Sequence, residues 1–107
     1  MIVAALAKLE ANAPDVARTL LVFANEHRFR ILCRLAANKK ELSFAALADG
    51  IQISQSAHSQ HLIKLRKGKV ISTRRAGHNC FYRLSDPRAL KLAIGLQKIL
   101  NGAWRTP

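Results

Sequence analysis

Acidic residues are scarce in this chain of 107: six Asp and Glu stand against eighteen Lys and Arg, for a formal net charge of +12. Catalysis by paired carboxylates, or by a nucleophile, a base and an orienting group held in a pocket, finds no convincing set among acids so few and so scattered. No catalytic residue and no cofactor are expected. Cysteine is scarcer still. Cys33 and Cys80 lie far apart without CxxC spacing, which argues against a disulfide scaffold or a zinc finger. Aromatic residues make up 6% of the chain, so the core must be mostly aliphatic. No apolar run approaches a membrane-spanning length, and Met1 to Leu9 lacks the basic leader of a secretory signal. A cytoplasmic protein with no membrane partner is therefore expected. The sequence shows no internal repeat and no low-complexity segment.

What the chain does have is positive charge, unevenly placed. From Gly50 to Ser85 there are seven Lys or Arg and no acidic residue, the footprint of a polyanion binder. The length fits one domain over 1–107, with a segment at 1–14 expected to serve dimerisation and a tail at 102–107.

Val3, Leu6 and Leu9 form a short amphipathic start, which Asn12 to Asp15 interrupts with Pro14 suited to the first turn of a new helix. The spacing of Val16, Leu20, Phe23 and Ala24 predicts a helix from about Asp15 to Ala24. Asn25 is a cap candidate for the next helix, whose stripe is Phe29, Leu32, Cys33 and Ala36, and the polar run Asn38 to Glu41 ends it. Ser43 can cap a short third helix carrying Ala46, Leu47 and Ala48, and Ser54 a fourth that runs to about Lys67. From Val70 the β-branched and aromatic residues crowd two short runs around Gly77 and His78, a β-hairpin. Ser85-Asp86-Pro87 opens a last helix that is apolar around most of its circumference from Leu90 to Leu100. Such a helix needs cover on two sides, and in so small a chain the second side is expected from another copy. The first and last helices would then form a homodimer contact.

The fold class is thus mainly α with a small β-hairpin (α+β), a winged helix-turn-helix whose recognition helix, about 54–67, enters the major groove while the wing, about 70–84, lies on the backbone. Double-stranded DNA is the expected partner. On a helical projection Ala57, His61, Leu62 and Leu65 fall on one side of the fourth helix, and Ser56, Ser59, Gln60, Ile63 and Lys67 on the other. Gln pairs two-pronged with adenine and Ser donates or accepts, so Ser56, Ser59 and Gln60 are the base-edge candidates. Ser54, Gln55 and His61 complete the expected helix contacts. Lys64, Arg66 and Lys67, with Arg74, Arg75 and His78 on the wing, are candidates for phosphate contacts. A merely solvated face is the alternative for each.

The run Ala24-Asn25-Glu26-His27-Arg28 with Ile31-Leu32, then Leu47-Ala48-Asp49, Ile53-Ser54-Gln55-Ser56-Ala57, Ser59-Gln60-His61-Leu62, Leu65-Arg66, Ser72-Thr73-Arg74-Arg75 and Tyr82-Arg83-Leu84 resembles the ArsR/SmtB family over roughly Asp15 to Leu100. That resemblance implies a dimeric winged-helix repressor that leaves its operator when an inducer binds. The chain departs from the family at three points. His58 stands where an aliphatic residue is usual, Gln52 where the turn usually has glycine, and Lys67-Gly68-Lys69 where a Glu-Ala-Gly stretch precedes the wing. Glycine at such places serves a left-handed backbone, so Gln52 and Lys69 are expected to be strained or their turns rearranged. The family's Cys-x-Cys metal position reads Glu41 to Ala45 here and has no thiolate, and Pro87 to Asn101 holds no His, Cys or Glu. No classical metal site is expected.

Cys33 sits where thiol-sensing members of the family carry a reactive cysteine. Core packing beside Phe29, Leu32 and Ala36 is the reading its stripe favours, and redox sensing is the alternative. Cys80 could join it only with Cα atoms within about seven ångströms. A small-molecule or redox inducer stays open. So does a second reading of the whole chain, a dimeric interaction module with weak or altered operator reading.

Overall fold

In the computed structural model, residues 2–38 and 41–103 are described, with side chains through residue 101. They form six helices and a small antiparallel sheet: α1 (Ile2–Ala11), α2 (Ala13–Phe23), α3 (Glu26–Ala37), β1 (Leu42–Ser43), α4 (Phe44–Ala48), α5 (Gln55–Lys67), β2 (Ile71–Ala76), β3 (Asn79–Leu84) and α6 (Pro87–Ala103). Of the tail expected at 102–107, residues 102 and 103 continue α6 and the rest lies outside the described residues. Lys39 and Lys40, in the polar stop after α3, lie outside them as well. Among the described residues no helix is long and apolar enough to cross a membrane.

Three of the expected caps start their helices. Asn25 accepts from the Arg28 N–H, Ser43 from Ala46 and Ser54 from Ala57, at 3.0, 3.1 and 3.0 Å. Each satisfies one of the four backbone donors a helix start leaves free. The break expected over Asn12 to Asp15 shrinks to Asn12 alone, because its backbone still bonds Leu9 and Val16 and its amide donates to the Lys8 carbonyl at 3.0 Å. A single bent residue joins α1 to α2.

The sheet order is β1-β3-β2, with Leu42 opposite Tyr82, and Ile71 opposite Leu84 through Ala76 opposite Asn79. Strand β1 is an addition to the expected hairpin. Gly77, at φ +62, takes the left-handed place in the two-residue turn, as a tight hairpin requires.

The core gathers around α3, which packs against α2, α5, α6 and β3. Ile31, Leu32 and Leu35 meet Leu47 of α4, Leu62 and Leu65 of α5, Val70, Ile71 and Tyr82 of the wing, Phe23 of α2 and Ala89 of α6. The buried stripe of α3 is therefore His27, Ile31, Leu32 and Leu35, rotated from the expected one. Phe29 and Ala36 are half-buried, and Cys33 is exposed, which corrects its reading as core packing. Both stripes have helical spacing, and the one that faces Leu47, Leu62 and Leu65 is the one that is buried. Of the stripe expected in α2, Phe23 is buried and Val16 half-buried, while Leu20 and Ala24 are exposed, so half of it has no cover within the chain. Helix α1 buries no residue.

Candidate nucleic-acid interface

Helices α4 and α5 form the helix-turn-helix. Gly50 carries the left-handed conformation in the turn between them, at φ +75, and Gln52 does not, so the departure at Gln52 is absorbed two residues earlier. On α5 the inner face is His58, Leu62 and Leu65, all buried. Ala57 and His61 flank it, half-buried. Gln55, Ser56, Gln60, Lys64 and Lys67 are exposed, and Ser59 is half-buried at the margin. Ser54 is exposed, but its hydroxyl is engaged as the cap.

His61 does not stand on the outer face. Its Nδ1 lies 3.1 Å from an Arg28 guanidinium nitrogen. Arginine only donates, so this nitrogen accepts and the neutral ring carries its proton on Nε2. Arg28 also donates to the Leu21 carbonyl at 3.3 Å and to that of Val22. The guanidinium thus sits at the negative end of α2 and ties it to α5. His61 turns toward this junction, on the side of α5 where the helical projection put it, and its Nδ1 is engaged by Arg28.

The end of α5 explains how the wing leaves it. The Val70 N–H reaches the Leu65 carbonyl at 3.0 Å and the Lys69 N–H the Arg66 carbonyl at 2.9 Å, the paired bonds of a Schellman motif. Val70 and Leu65 are both buried, providing its apolar contact. Lys69 holds the left-handed position at φ 61, the one non-glycine residue with positive φ among those described. The strain expected at Lys69 is present.

Alternation along β2 separates its two arginines. Residues opposite one another across the ladder share a face, so Thr73 and Arg75 go with Tyr82 and Cys80, and Ser72 and Arg74 with Arg83 and Phe81. The first face is turned toward α5, because an Arg66 guanidinium nitrogen lies 3.4 Å from the Thr73 hydroxyl. Arg75 shares that face and is exposed near the wing tip beside His78. Arg74 lies on the other face, over the Phe81 ring at 4.9 Å. Its guanidinium donates to both carboxylate oxygens of Glu41 at 2.8 to 3.0 Å. These bonds hold the Glu41 carboxyl below its ordinary pKa, with further help from the charge of Arg74 and Arg83. The two arginines read as one phosphate-contacting pair are thus differently placed. Glu41 received no role from sequence reasoning, since nothing local signals a partner 33 residues away.

Cys33 and Cys80 are both free thiols, exposed and half-buried respectively. Partial burial of its sulfur pushes the Cys33 pKa up, the direction opposite to that of an activated thiolate.

Residues 25–72, which span α3, the helix-turn-helix and the start of the wing, match the family described as "Bacterial regulatory protein, arsR family". The transcriptional activator HlyU of Vibrio cholerae is 41% identical over 81 residues, 76% of this chain and 73% of that protein. The chain belongs to the ArsR family. The nodulation protein NolR of Rhizobium meliloti is 40% identical over 82% of this chain and 70% of its own. Among ArsR-type solved structures, the repressor BigR from Xylella fastidiosa superposes with a TM-score of 0.79 at 30% identity, covering 94% of this chain and 96% of that one. NolR from Sinorhizobium fredii does so at 0.75 and 36%, over 90% and 94%. The ArsR fold is the winged helix-turn-helix expected from the sequence, and the function is DNA-binding transcriptional regulation.

Proposed function

We propose that this chain is a homodimeric, sequence-specific repressor that reads double-stranded DNA with the outer face of α5 in the major groove. The observation that carries the reading is that Ser56 and Gln60 stand exposed on α5, while the wing face turned toward α5 presents Arg75. Ser56, Gln60 and the marginal Ser59 meet base edges, helped by Gln55 at the helix start. Lys64, Lys67, Arg75 and His78 lie on phosphates, and Ser54 fixes the helix start. Arg74 contributes less than Arg75 because Glu41 occupies its guanidinium. The same fold is called a repressor in the biofilm growth-associated repressor of Agrobacterium fabrum, 34% identical over 88% of this chain, and an activator in HlyU. Repression is the simpler outcome, since occupying an operator needs no additional activating surface.

Dimerisation is supported by the large apolar side chains that are exposed among the described residues, all on three helices: Ile2, Val3, Leu6 and Leu9 on α1, Leu20 and Leu21 on α2, and Leu90, Ile94, Ile99 and Leu100 on α6. Apolar exposure concentrated in this way marks a partner surface. A two-fold dimer would place two copies of α5 about 34 Å apart, one turn of duplex, and so read an inverted repeat.

The test is a footprint on the DNA upstream of the gene, with titrations at several salt concentrations. Gln60→Ala should weaken specific binding and spare binding to random duplex. Arg75→Ala should weaken both and flatten the salt slope by about one unit. Equal affinity of the wild type for the upstream fragment and random DNA would refute the repressor and favour an interaction module of the same fold.

A further inference from the structure

The contact between α3 and the recognition helix is polar at its centre. His58, 1% exposed on the inner face of α5, and His27, 6% exposed at the start of α3, join Nδ1 to Nε2 at 2.7 Å. The other nitrogen of His58, Nε2, lies 2.8 Å from the Phe44 carbonyl at the start of α4. One ring therefore ties both helices of the helix-turn-helix to the core helix.

The network fixes the protons. A carbonyl only accepts, so His58 Nε2 carries hydrogen, and in the neutral ring Nδ1 is then the acceptor. His27 must donate to it from Nε2. That leaves Nδ1 of His27 as a bare acceptor, buried and without a hydrogen-bond partner among the described residues. The pair is complete with its two hydrogens. A third proton has no good position. Placed on His27 Nδ1, it makes a buried cation whose N–H meets no acceptor. Placed on His58 Nδ1, it forces the His27 hydrogen from Nε2 to Nδ1, with the same orphaned donor and the charge on His58 instead.

Among the described residues no carboxylate acts on His27 or His61. The charges acting on His27 are His58 and His61 of α5 and Arg30 and Arg34 of α3, and those on His61 are Arg28, Lys64 and His58. Helix α4 and the last turn of α2, Leu20–Phe23, carry no ionisable side chain. On β3, Tyr82 and Arg83 supply no negative charge near neutral pH, and Glu26 is engaged by Arg30 on the exposed side of α3. Burial, then these positive neighbours, lower the pKa of His27 and of His61.

We propose that His27 and His58 are positioning residues that make operator reading proton-dependent: the neutral pair clamps α5 in its reading orientation, and uptake of one proton releases it. This rests on the DNA-reading role of α5 proposed above. The sign is diagnostic. Protonation of an exposed histidine near DNA strengthens binding to any duplex. Release of the clamp weakens specific binding while leaving that general attraction in place.

The experiment measures affinity for the footprinted upstream duplex and for random duplex of equal length, from about pH 7.5 to about pH 5.5, where one linked proton can change a ratio by up to about tenfold per unit. For the wild type, the ratio of specific to random affinity should fall by about threefold or more. The double variant H27Q/H58Q removes both titrating rings and keeps a donor for the Phe44 carbonyl, and its ratio should stay level. A second, H27L/H58L, gives the same test with an apolar contact should the glutamine pair fold poorly. Binding near pH 6, followed by calorimetry in buffers of different ionisation enthalpy, should release protons from the wild type and fewer from either variant. A level wild-type ratio overturns the clamp, as does a variant that falls as steeply as the wild type. Loss of preference for the upstream duplex already at pH 7.5 refutes the DNA-reading role instead.

Discussion

Lys69 offers a direct test of the geometry that launches the wing from α5. It occupies the left-handed position of the Schellman motif at φ 61, where a side chain costs about 1 to 2 kcal/mol through contact of Cβ with the following carbonyl. Lys69→Gly removes that cost and returns about 0.4 to 1 kcal/mol of it to the greater freedom of the unfolded chain. The side chain is exposed and makes no hydrogen bond, and the bonds from the Lys69 and Val70 amides survive the change. The net expectation is a gain of about 0.5 to 1 kcal/mol. With a urea dependence of about 1 to 3 kcal/mol per molar, the unfolding midpoint should rise by about half a molar at unchanged slope. Thermal unfolding should move up by several degrees, since about 1 kcal/mol corresponds to about 4 to 8 °C in a domain near this size. Lys69→Ala keeps the Cβ and should leave the midpoint near the wild type, whereas a β-branched Lys69→Val should lower it. A glycine variant no more stable than the wild type would refute the assignment of strain to this residue.

Three other outcomes follow from the site. Glu41→Gln should free Arg74 for phosphate and steepen the salt dependence of binding to random duplex by about 0.9 unit; an unchanged slope, with Arg75→Ala still flattening it, would show that Arg74 lies out of reach of the backbone. His27 and His61 have lowered pKa values in the folded chain, so the unfolded chain takes up protons first. Stability in urea should then be full above the ordinary histidine pKa of about 6.5 and decline as pH falls through and below it toward the folded values; a midpoint level over that range would contradict the burial of these rings. Cys33 is exposed but not activated, and alkylation should be slow for an accessible thiol and leave duplex affinity unchanged; fast reaction with loss of binding would revive thiol sensing.

What was legible in the sequence is what local interactions decide. Asn25, Ser43 and Ser54 could be read as caps because a cap bonds an amide three residues on. The hairpin could be read from residue types and a glycine at its turn, and the strain at Lys69 from the resemblance, which implies a glycine where this chain has lysine. The exposed positions of Ser56 and Gln60 followed from helical period alone. Where two stripes shared one period, the sequence could not choose. Phe29, Leu32, Cys33 and Ala36 are as regular as Ile31, Leu32 and Leu35, and only what packs against α3 exposes Cys33 and buries His27.

By itself, then, the order of residues determined the helices and the hairpin, their caps and the concentration of positive charge on one stretch, because propensity, capping and charge act over a few residues, while strand β1 came only with the fold. Tertiary structure alone decided which side chains meet across 31 to 33 residues: His27 with His58, Arg28 with His61 and Arg74 with Glu41. No periodicity encodes those meetings. They arise where separate helices and strands share a core, so which arginine of the wing is held by a carboxylate, and which rings join α5 to α3, were decided only when the chain closed on itself.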